Sequence, residues 1–199
     1  MAFDITSFRH AMTYDGQRPN LFKVQIPNKG NLFNGTGLEL FAKATSIPGA
    51  TIGTVIVPYF GREVKMAGNR TFPEWTITVI NDENFSIRSQ FENWMHRIND
   101  HSSNKRTAGS EGTRYTNLAT VHQYSKGGAS DVVTASYSFV NVFPTDLSEI
   151  TLDWGDNDTV EEYTVTFSYD YWTRKKGGLS GGTGEIADDI VTTGGPAGT

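Results

Sequence analysis

Alternating apolar and polar residues recur along most of the chain, and this period of two predicts β-strands. The first two strands, Leu21–Ile26 and Leu38–Thr45, flank the turn-rich stretch Asn28–Gly37, so they are expected to form a hairpin. Further strands are predicted over Trp75–Val79, Leu118–Ser125, Val133–Phe143 and Thr159–Trp172. The pattern therefore favours a mainly β fold.

The last predicted strand, Thr159–Trp172, is unusually long and has two different faces. Tyr163, Val165 and Phe167 lie on its apolar face, and polar residues fill the intervening positions. At ~3.3 Å per residue the strand would extend roughly 40 Å, about twice the usual length. The polar face of such a strand must meet bulk water or a wide water-filled lumen.

One segment has the period of an amphipathic helix. Its apolar stripe consists of Ile87, Phe91, Trp94, Met95 and Ile98. Asp82 or Asn84 is expected to cap the N-terminus of this helix. A single helix with one apolar face is expected to pack on a sheet or to close the open end of a barrel. A second, short helix is predicted around Ile5–Met12.

The stretch Pro48–Met66 is rich in apolar residues for its position. Its two apolar runs, Thr51–Val57 and Arg62–Met66, surround Pro58, which cannot donate a ladder hydrogen bond and therefore marks an edge or an excursion. Two interpretations are open. The stretch is either a hairpin that folds back on its own domain or an arm that docks on a partner subunit, because exposed apolar surface normally marks an interface.

Composition divides the chain into three parts. Residues 1–18 are mixed and polar and predict an N-terminal arm, and residues 19–174 hold the predicted strands of a β domain. Residues 175–199 form a Gly-rich C-terminal extension, typical of a linker or tail. This extension is either flexible or ordered on a neighbouring subunit. Within the β domain, the polar stretch Asn99–Asn117 predicts a long loop.

Overall composition narrows the class of protein. The chain has 199 residues, 37% of them hydrophobic and 12% aromatic, which suits one domain with a real core. The absence of cysteine excludes disulfides, thiolate metal sites and Cys nucleophiles. A net charge of -5 disfavours tight binding to nucleic-acid phosphate.

No apolar run approaches ~18 residues and no secretory pattern is present. We therefore expect that the chain has no membrane anchor and is synthesised in the cytoplasm.

No motif predicts an active site. The chain has four histidines, His10, His96, His101 and His122. They form neither an HxH nor an HExxH pattern and are interpreted as surface or loop residues, and the spacing of His96 and His101 is not expected to stack them. In the acidic run Asp153–Asp158, the triplet Asp156-Asn157-Asp158 lacks the Gly and distal Glu that follow in an EF-hand loop, so the run predicts a turn. Without a GxSxG or phosphate-binding motif, no enzyme activity, metal or cofactor is expected.

Several short motifs follow one another in a defined order. They are Arg18–Phe22, Phe41–Thr45 with Ile47-Pro48, Ala67–Phe72 leading into Trp75–Val79, Asn81–Glu83 before a helix with Phe91 and Trp94, Pro144-Thr145, Leu152–Trp154 and Asp170–Trp172. This series resembles the T4-like family of contractile-tail tube proteins from myoviruses. It covers roughly residues 18–172, and the polar loop and the Gly-rich extension depart from the family pattern.

The resemblance implies an antiparallel β-sandwich or β-barrel with one flanking amphipathic helix. Family members form hexameric rings that stack into a hollow tube, and neighbouring sheets join into a continuous inner barrel through which genomic DNA passes without specific binding. The implied partners are further copies of the chain, the tail sheath protein, and the baseplate and tail terminator proteins. The protein is then expected in the virion tail, after assembly in the host cytoplasm. The family has no catalytic residues to carry over.

Two sets of site residues are expected from the resemblance and the patterns together. The apolar stretch is expected to bridge adjacent rings through Val55, Val57, Tyr59, Phe60 and Arg62. The polar face of the last strand is expected to line the lumen through Glu162, Thr164, Thr166 and Asp170. Acidic groups there would repel DNA phosphate and prevent it from sticking. The helix is expected on the outside of the tube wall.

Two alternatives remain open at this point. The chain could be the tube protein of a related contractile injection device, such as a tailocin or a type VI secretion system. It could instead be a monomeric β-sandwich that binds a ligand such as a carbohydrate. An aromatic platform for that ligand would come from Trp75, Trp94, Trp154 and Trp172.

Overall fold

A computed structural model describes residues 4–12, 16–29, 32–34, 37–106, 115–126 and 132–176. Within these ranges lie three helices, α1 (Ile5–Ala11), α2 (Leu38–Phe41) and α3 (Ser86–Ile98). The strands there are β1 (Phe22–Gln25), β2 (Ala42–Thr45), β3 (Thr51–Tyr59), β4 (Arg62–Thr71), β5 (Trp75–Ile80), β6 (Asn117–Tyr124), β7 (Val133–Leu147), β8 (Glu162–Ser168) and β9 (Tyr171–Lys176). The predicted Gly-rich extension from residue 177 onwards and residues 107–114 of the predicted polar loop lie outside the described residues.

Two antiparallel sheets share strand β7. One sheet has the order β1-β6-β7-β9 and the other the order β7-β8-β5-β2. β7 pairs with β6 as far as Val142 and with β8 from Phe143 to Leu147. Next to this change of partner, Asn141 has a φ of 58°, a left-handed conformation that Asn tolerates better than most residues. The resulting bend allows one strand to pass from the first sheet to the second.

The hydrophobic core lies between these sheets and α3. Alternate residues of β5 and β8 are buried, as the sequence pattern predicts. Phe139 of the first sheet stacks on Trp75 with ring centroids 4.2 Å apart, and Phe91 and Trp94 of α3 pack against Phe167. Truncating a buried ring of this kind costs about 3–5 kcal/mol. The mainly β, antiparallel fold and the packing of the helix on it are therefore confirmed.

The apolar stripe of α3 is confirmed, but the start of this helix differs from the prediction. Neither Asp82 nor Asn84 occupies the N-cap position, which is taken by Phe85 with a φ of 52°. The Asp82 carboxylate instead accepts hydrogen bonds from the Ser86 hydroxyl at 2.6 Å and the Ser86 amide at 3.1 Å. These bonds, chiefly the one from the hydroxyl, lower the pKa of Asp82. The carboxylate therefore stays charged beside the positive end of the helix.

The first predicted hairpin is wrong. β1 pairs with β6, and β2 pairs with β5, so the two strands belong to different sheets. The first half of the predicted strand Leu38–Thr45 is the helix α2, which begins after Gly37 at a φ of 94°. This helical turn buries Leu38 and leaves Leu40 86% exposed, although alternation would place both on one face. The predicted short helix near the N-terminus is confirmed as α1.

The long strand predicted over Thr159–Trp172 is also wrong as a single element. The chain breaks at Tyr169-Asp170, and β8 and β9 on either side join different sheets. The Asp170 amide donates to the Val140 carbonyl at 3.1 Å, and its carboxylate accepts a hydrogen bond from Asn141. With seven and six residues, β8 and β9 are both strands of ordinary length.

Candidate assembly surfaces

The hairpin of β3 and β4 forms a two-stranded sheet of its own. Every residue of both strands is exposed except Gly68, which is half-buried. The base of the hairpin is held by Trp172, whose indole N–H donates to the Gly49 carbonyl at 3.0 Å. At ~3.3 Å per residue, the nine residues of β3 extend about 30 Å. The hairpin is therefore a projecting arm and does not fold back on the described part of the chain.

The two faces of this hairpin differ in chemistry. Residues paired across the strands share a face, and the register pairs Val55 with Met66, Val57 with Val64 and Tyr59 with Arg62. This set of six residues is called the hairpin apolar face, and Arg62 is its one charged member. The opposite face carries Glu63 and Lys65 beside Ile56 and Pro58. Four of the five residues predicted to bridge rings thus share one face, and the fifth, Phe60, lies in the turn.

The outer face of β8 presents three of the four predicted lumen residues. Glu162, Thr164 and Thr166 alternate with the buried residues of the strand and lie opposite Ile80, Thr78 and Thr76 of β5. The Glu162 carboxylate forms an ion pair with Lys43 of β2, which offsets part of its charge. The fourth, Asp170, lies in the bend before β9 and does not continue this face.

One further carboxylate belongs to the same face and was missed by sequence reasoning. Asp146 of β7 is exposed and pairs in register with Thr166. The predicted strand Val133–Phe143 ends before the Pro144-Thr145 motif and so leaves out Asp146. Because β7 continues through this motif, Asp146 is part of the polar face, a placement that depends on strand pairing rather than on local pattern.

The segment 148–161, called the acidic loop, connects β7 to β8 and exposes apolar side chains among carboxylates. Leu152, Trp154 and Val160 are 79%, 101% and 66% exposed. The segment has five acidic residues and no Lys, Arg or His. The Asp153 carboxylate accepts a hydrogen bond from the Gly155 amide at 2.8 Å, which confirms the predicted acidic turn. The exposed apolar surface of Leu152, Trp154 and Val160 was not predicted. The position of Trp154 within an acidic run could have indicated it.

The four tryptophans do not form a shared platform. Trp75 and Trp94 are buried, and their indole N–H groups donate to the Thr45 hydroxyl at 2.9 Å and the Tyr115 carbonyl at 2.8 Å. Trp172 is half-buried beneath the hairpin base, and only Trp154 is exposed over its whole side chain. Trp75 and Trp94, two of the four tryptophans considered for a ligand platform, are therefore part of the core.

Two interpretations of the histidines need correction. The His96 and His101 rings are stacked with centroids 5.5 Å apart, because His101 lies in the turn after α3 and helical spacing does not apply there. His122 is half-buried on β6 rather than a surface residue. Within the described residues, no group of three His, Cys, Asp or Glu side chains is arranged to hold a metal ion. None of the described helices is long and apolar enough to cross a membrane.

Comparison with known proteins gives a consistent set of similarities. The family model described as phage tail tube protein matches residues 17–175. The tail tube protein gp19 of Enterobacteria phage T4 is 34% identical over 158 residues, which cover 79% of this chain and 91% of gp19. A chain of the anti-feeding prophage tube-terminating cap aligns with a TM-score of 0.61 at 18% identity, covering 87% of this chain and 99% of that chain.

A second solved structure has the same fold. A chain of the sheath-tube complex of an extracellular contractile injection system aligns with a TM-score of 0.59 at 14% identity. The alignment covers 88% of this chain and 99% of that chain. At this level of identity, these two structures establish a common fold.

Proposed function

The chain belongs to the phage tail tube protein family, and from this premise we propose that its copies form hexameric rings that stack into a hollow tube. Membership makes it a structural protein of the contractile phage tail and part of the virion. The proposed tube conducts genomic DNA without specific binding. Its proposed partners are the sheath, the baseplate and the tail terminator, since the solved structures with this fold come from a sheath-tube complex, a baseplate and terminating caps.

The observation that carries this proposal is the projecting hairpin of β3 and β4. Five exposed apolar side chains lie on one of its faces, and an apolar surface of this kind is typical of an interface. Neither edge of the hairpin pairs with another strand of the described part of the chain, and such open edges template aggregation if no partner covers them. A neighbouring copy in the adjacent ring would cover both the apolar face and the open edges. Its contact would be made by the predicted inter-ring residues Val55, Val57, Tyr59, Phe60 and Arg62.

The second sheet supports the proposed inner barrel. It contributes four strands, β7, β8, β5 and β2, and no further described strand pairs with the outer edge of β2 or of the last part of β7. Joining these edges between six copies would give a barrel of about 24 strands, and barrels of 16–18 strands already leave a water-filled channel. The threonine-rich outer face, with Glu162, Thr164 and Thr166, would line the lumen. Helix α3, on the core side, would then lie away from the DNA.

Electron microscopy of the purified chain tests this proposal directly. Negative-stain images are expected to show six-fold rings or tubes, with tubes favoured when fragments of existing tubes are added as seeds. Uniform monomers at high concentration, even in the presence of seeds, would instead favour a ligand-binding module.

Replacing the two aromatic residues at the hairpin tip tests the inter-ring contact. The double variant Tyr59→Ser, Phe60→Ser is expected to form rings but not tubes, because an aromatic hot spot contributes about 2 kcal/mol or more, or roughly 30-fold in affinity. Tube length in electron micrographs and ring mass by native mass spectrometry are the measurements. Ile56→Ser, on the opposite hairpin face, is the control. Tubes of normal length from the double variant would exclude this contact.

A further inference from the structure

The acidic loop has the features of a docking surface. Its apolar side chains Leu152, Trp154 and Val160 are exposed beside a groove of about 390 Å³, which is also lined by Asp153, Asp156 and Glu161. The whole side chain of Trp154 is exposed to solvent, and Trp residues are enriched at the centre of protein interfaces. With five acidic residues and no basic ones, the loop selects a partner that combines apolar side chains with positive charge.

The hairpin apolar face has the complementary chemistry. Tyr59, Val57 and Val64 lie beside Arg62, and all four side chains are exposed. Over residues 51–71 the hairpin has three basic residues and one acidic residue, so it carries a formal charge of +2. Arg beside aromatic residues is the composition that interface centres favour. Among the described segments, this hairpin therefore matches the acidic loop in both charge and apolarity.

We propose that the hairpin apolar face of one copy docks on the acidic loop of a neighbouring copy, with Arg62 facing the carboxylates of Asp156 and Asp158. The proposal rests on the proposed self-assembly and identifies the receptor for the hairpin. Docking covers Trp154 and Tyr59 together and removes both from water. Opposite charges across the contact fix its orientation and increase the rate of association.

A charge exchange between the two surfaces provides the test. The variants are Arg62→Glu, the pair Asp156→Arg with Asp158→Arg, and the combination of all three substitutions. Asp153 is retained because its carboxylate shapes the turn. Lys65→Glu makes the same change of charge on the opposite hairpin face and is the matched control. Tube growth from seeds is followed by light scattering, ring mass by native mass spectrometry, and subunit folding by circular dichroism.

Arg62→Glu and the Asp156, Asp158 pair are each expected to slow tube growth at least about tenfold, with folding and rings intact. The combined variant is expected to recover most of the growth rate. Lys65→Glu lowers the charge of the hairpin equally but on the face away from the contact, so it is expected to slow growth much less than Arg62→Glu. Growth that is unaffected by reversing Asp156 and Asp158, or that the combined variant does not recover, would overturn the proposal.

Two further outcomes separate this inference from its premise. If reversal of Asp156 and Asp158 leaves tubes normal but prevents the sheath from assembling on them, the acidic loop binds the sheath and the proposal is overturned. If the unmodified chain forms neither rings nor tubes with seeds present, the proposed function itself is overturned.

Discussion

At the scale of single residues, the surroundings of His122 link its charge to folding. Its ring nitrogens lie 2.7 Å from the Ser136 hydroxyl and 3.1 Å from the Gln25 side-chain oxygen. Partial burial, followed by the charge of Lys23, lowers the pKa of His122, and the Glu39 carboxylate opposes this shift. The folded protein therefore favours the neutral imidazole.

This lowered pKa predicts a loss of stability on mild acidification. The unfolded chain takes up the His122 proton near its ordinary pKa of 6.5, before the folded chain does, so the free energy of unfolding falls as pH drops below that value. Between about pH 7.5 and 5.5 the melting temperature of the subunit is therefore expected to fall.

The variant His122→Gln provides the comparison, since its side chain does not titrate in this range. Its melting temperature is expected to change less between the two pH values. The carboxylates of Asp82 and Glu39, whose pKa values are lowered by hydrogen bonds from Ser86 and Lys23, titrate at lower pH and do not contribute in this window. Equal changes for both proteins would contradict the assignment to His122.

At the scale of elements, the turn of the projecting hairpin places an aromatic residue in an unfavourable backbone conformation. Phe60 and Gly61 have φ values of 43° and 77°, as the two central residues of a type I′ turn require. Gly adopts such a conformation freely, but a bulky residue there is strained by about 1–2 kcal/mol. Phe60 is nevertheless 91% exposed, so burial within the subunit does not compensate the strain.

The substitution Phe60→Asn separates the strain of the turn from the contribution of its aromatic ring. Asn followed by Gly is the preferred sequence for this turn, so relief of about 1–2 kcal/mol is expected to increase amide-exchange protection in β3 and β4 by roughly 5–30-fold. Tube growth is nevertheless expected to slow because the aromatic side chain of Phe60 is lost. Hydrogen exchange on subunits and seeded growth are the two measurements. If the Phe60→Asn variant showed greater amide protection and its tubes grew at the normal rate, the aromatic side chain of Phe60 would have no role in assembly.

The sequence predicts those elements whose residue pattern reports burial directly. Strand β5 and the stripe of α3 are of this kind, because each period of two or of about 3.6 corresponds to one buried face. The break at Asp170 is not predictable in this way, because its amide is satisfied by Val140 of another strand. Likewise, Leu38 and Leu40 fit either a strand or a short helix, and only tertiary packing selects the helix.

At the scale of the whole molecule, sequence and structure agree on which face is polar but not on its composition. Alternation correctly places Glu162, Thr164 and Thr166 away from the core. Asp146 joins them, and Lys43 pairs with Glu162, only because β7, β8, β5 and β2 lie side by side. The sign of the charge on the face therefore depends on strand order, which a period of two does not encode.

The proposed lumen predicts that this face is protected from bulky reagents once tubes form. The chain has no cysteine, so Thr166→Cys introduces a single thiol on the polar face, and Asn93→Cys introduces one on the exposed side of α3. A maleimide that carries a polymer too large to enter a tube is expected to label both variants as free subunits. In tubes without sheath, the Thr166→Cys variant is expected to lose most of this labelling, and the Asn93→Cys variant to retain it.

A small maleimide separates exclusion by size from loss of the thiol. It diffuses through a water-filled lumen and is expected to label both variants in tubes, because Thr166 stands on a face that water reaches. Labelling of the Thr166→Cys variant by the bulky reagent at the same rate in tubes as in subunits would place this face on the outside. Protection of the Asn93→Cys variant instead would place α3 in the lumen, so the two thiols together determine which side of the sheet faces the DNA.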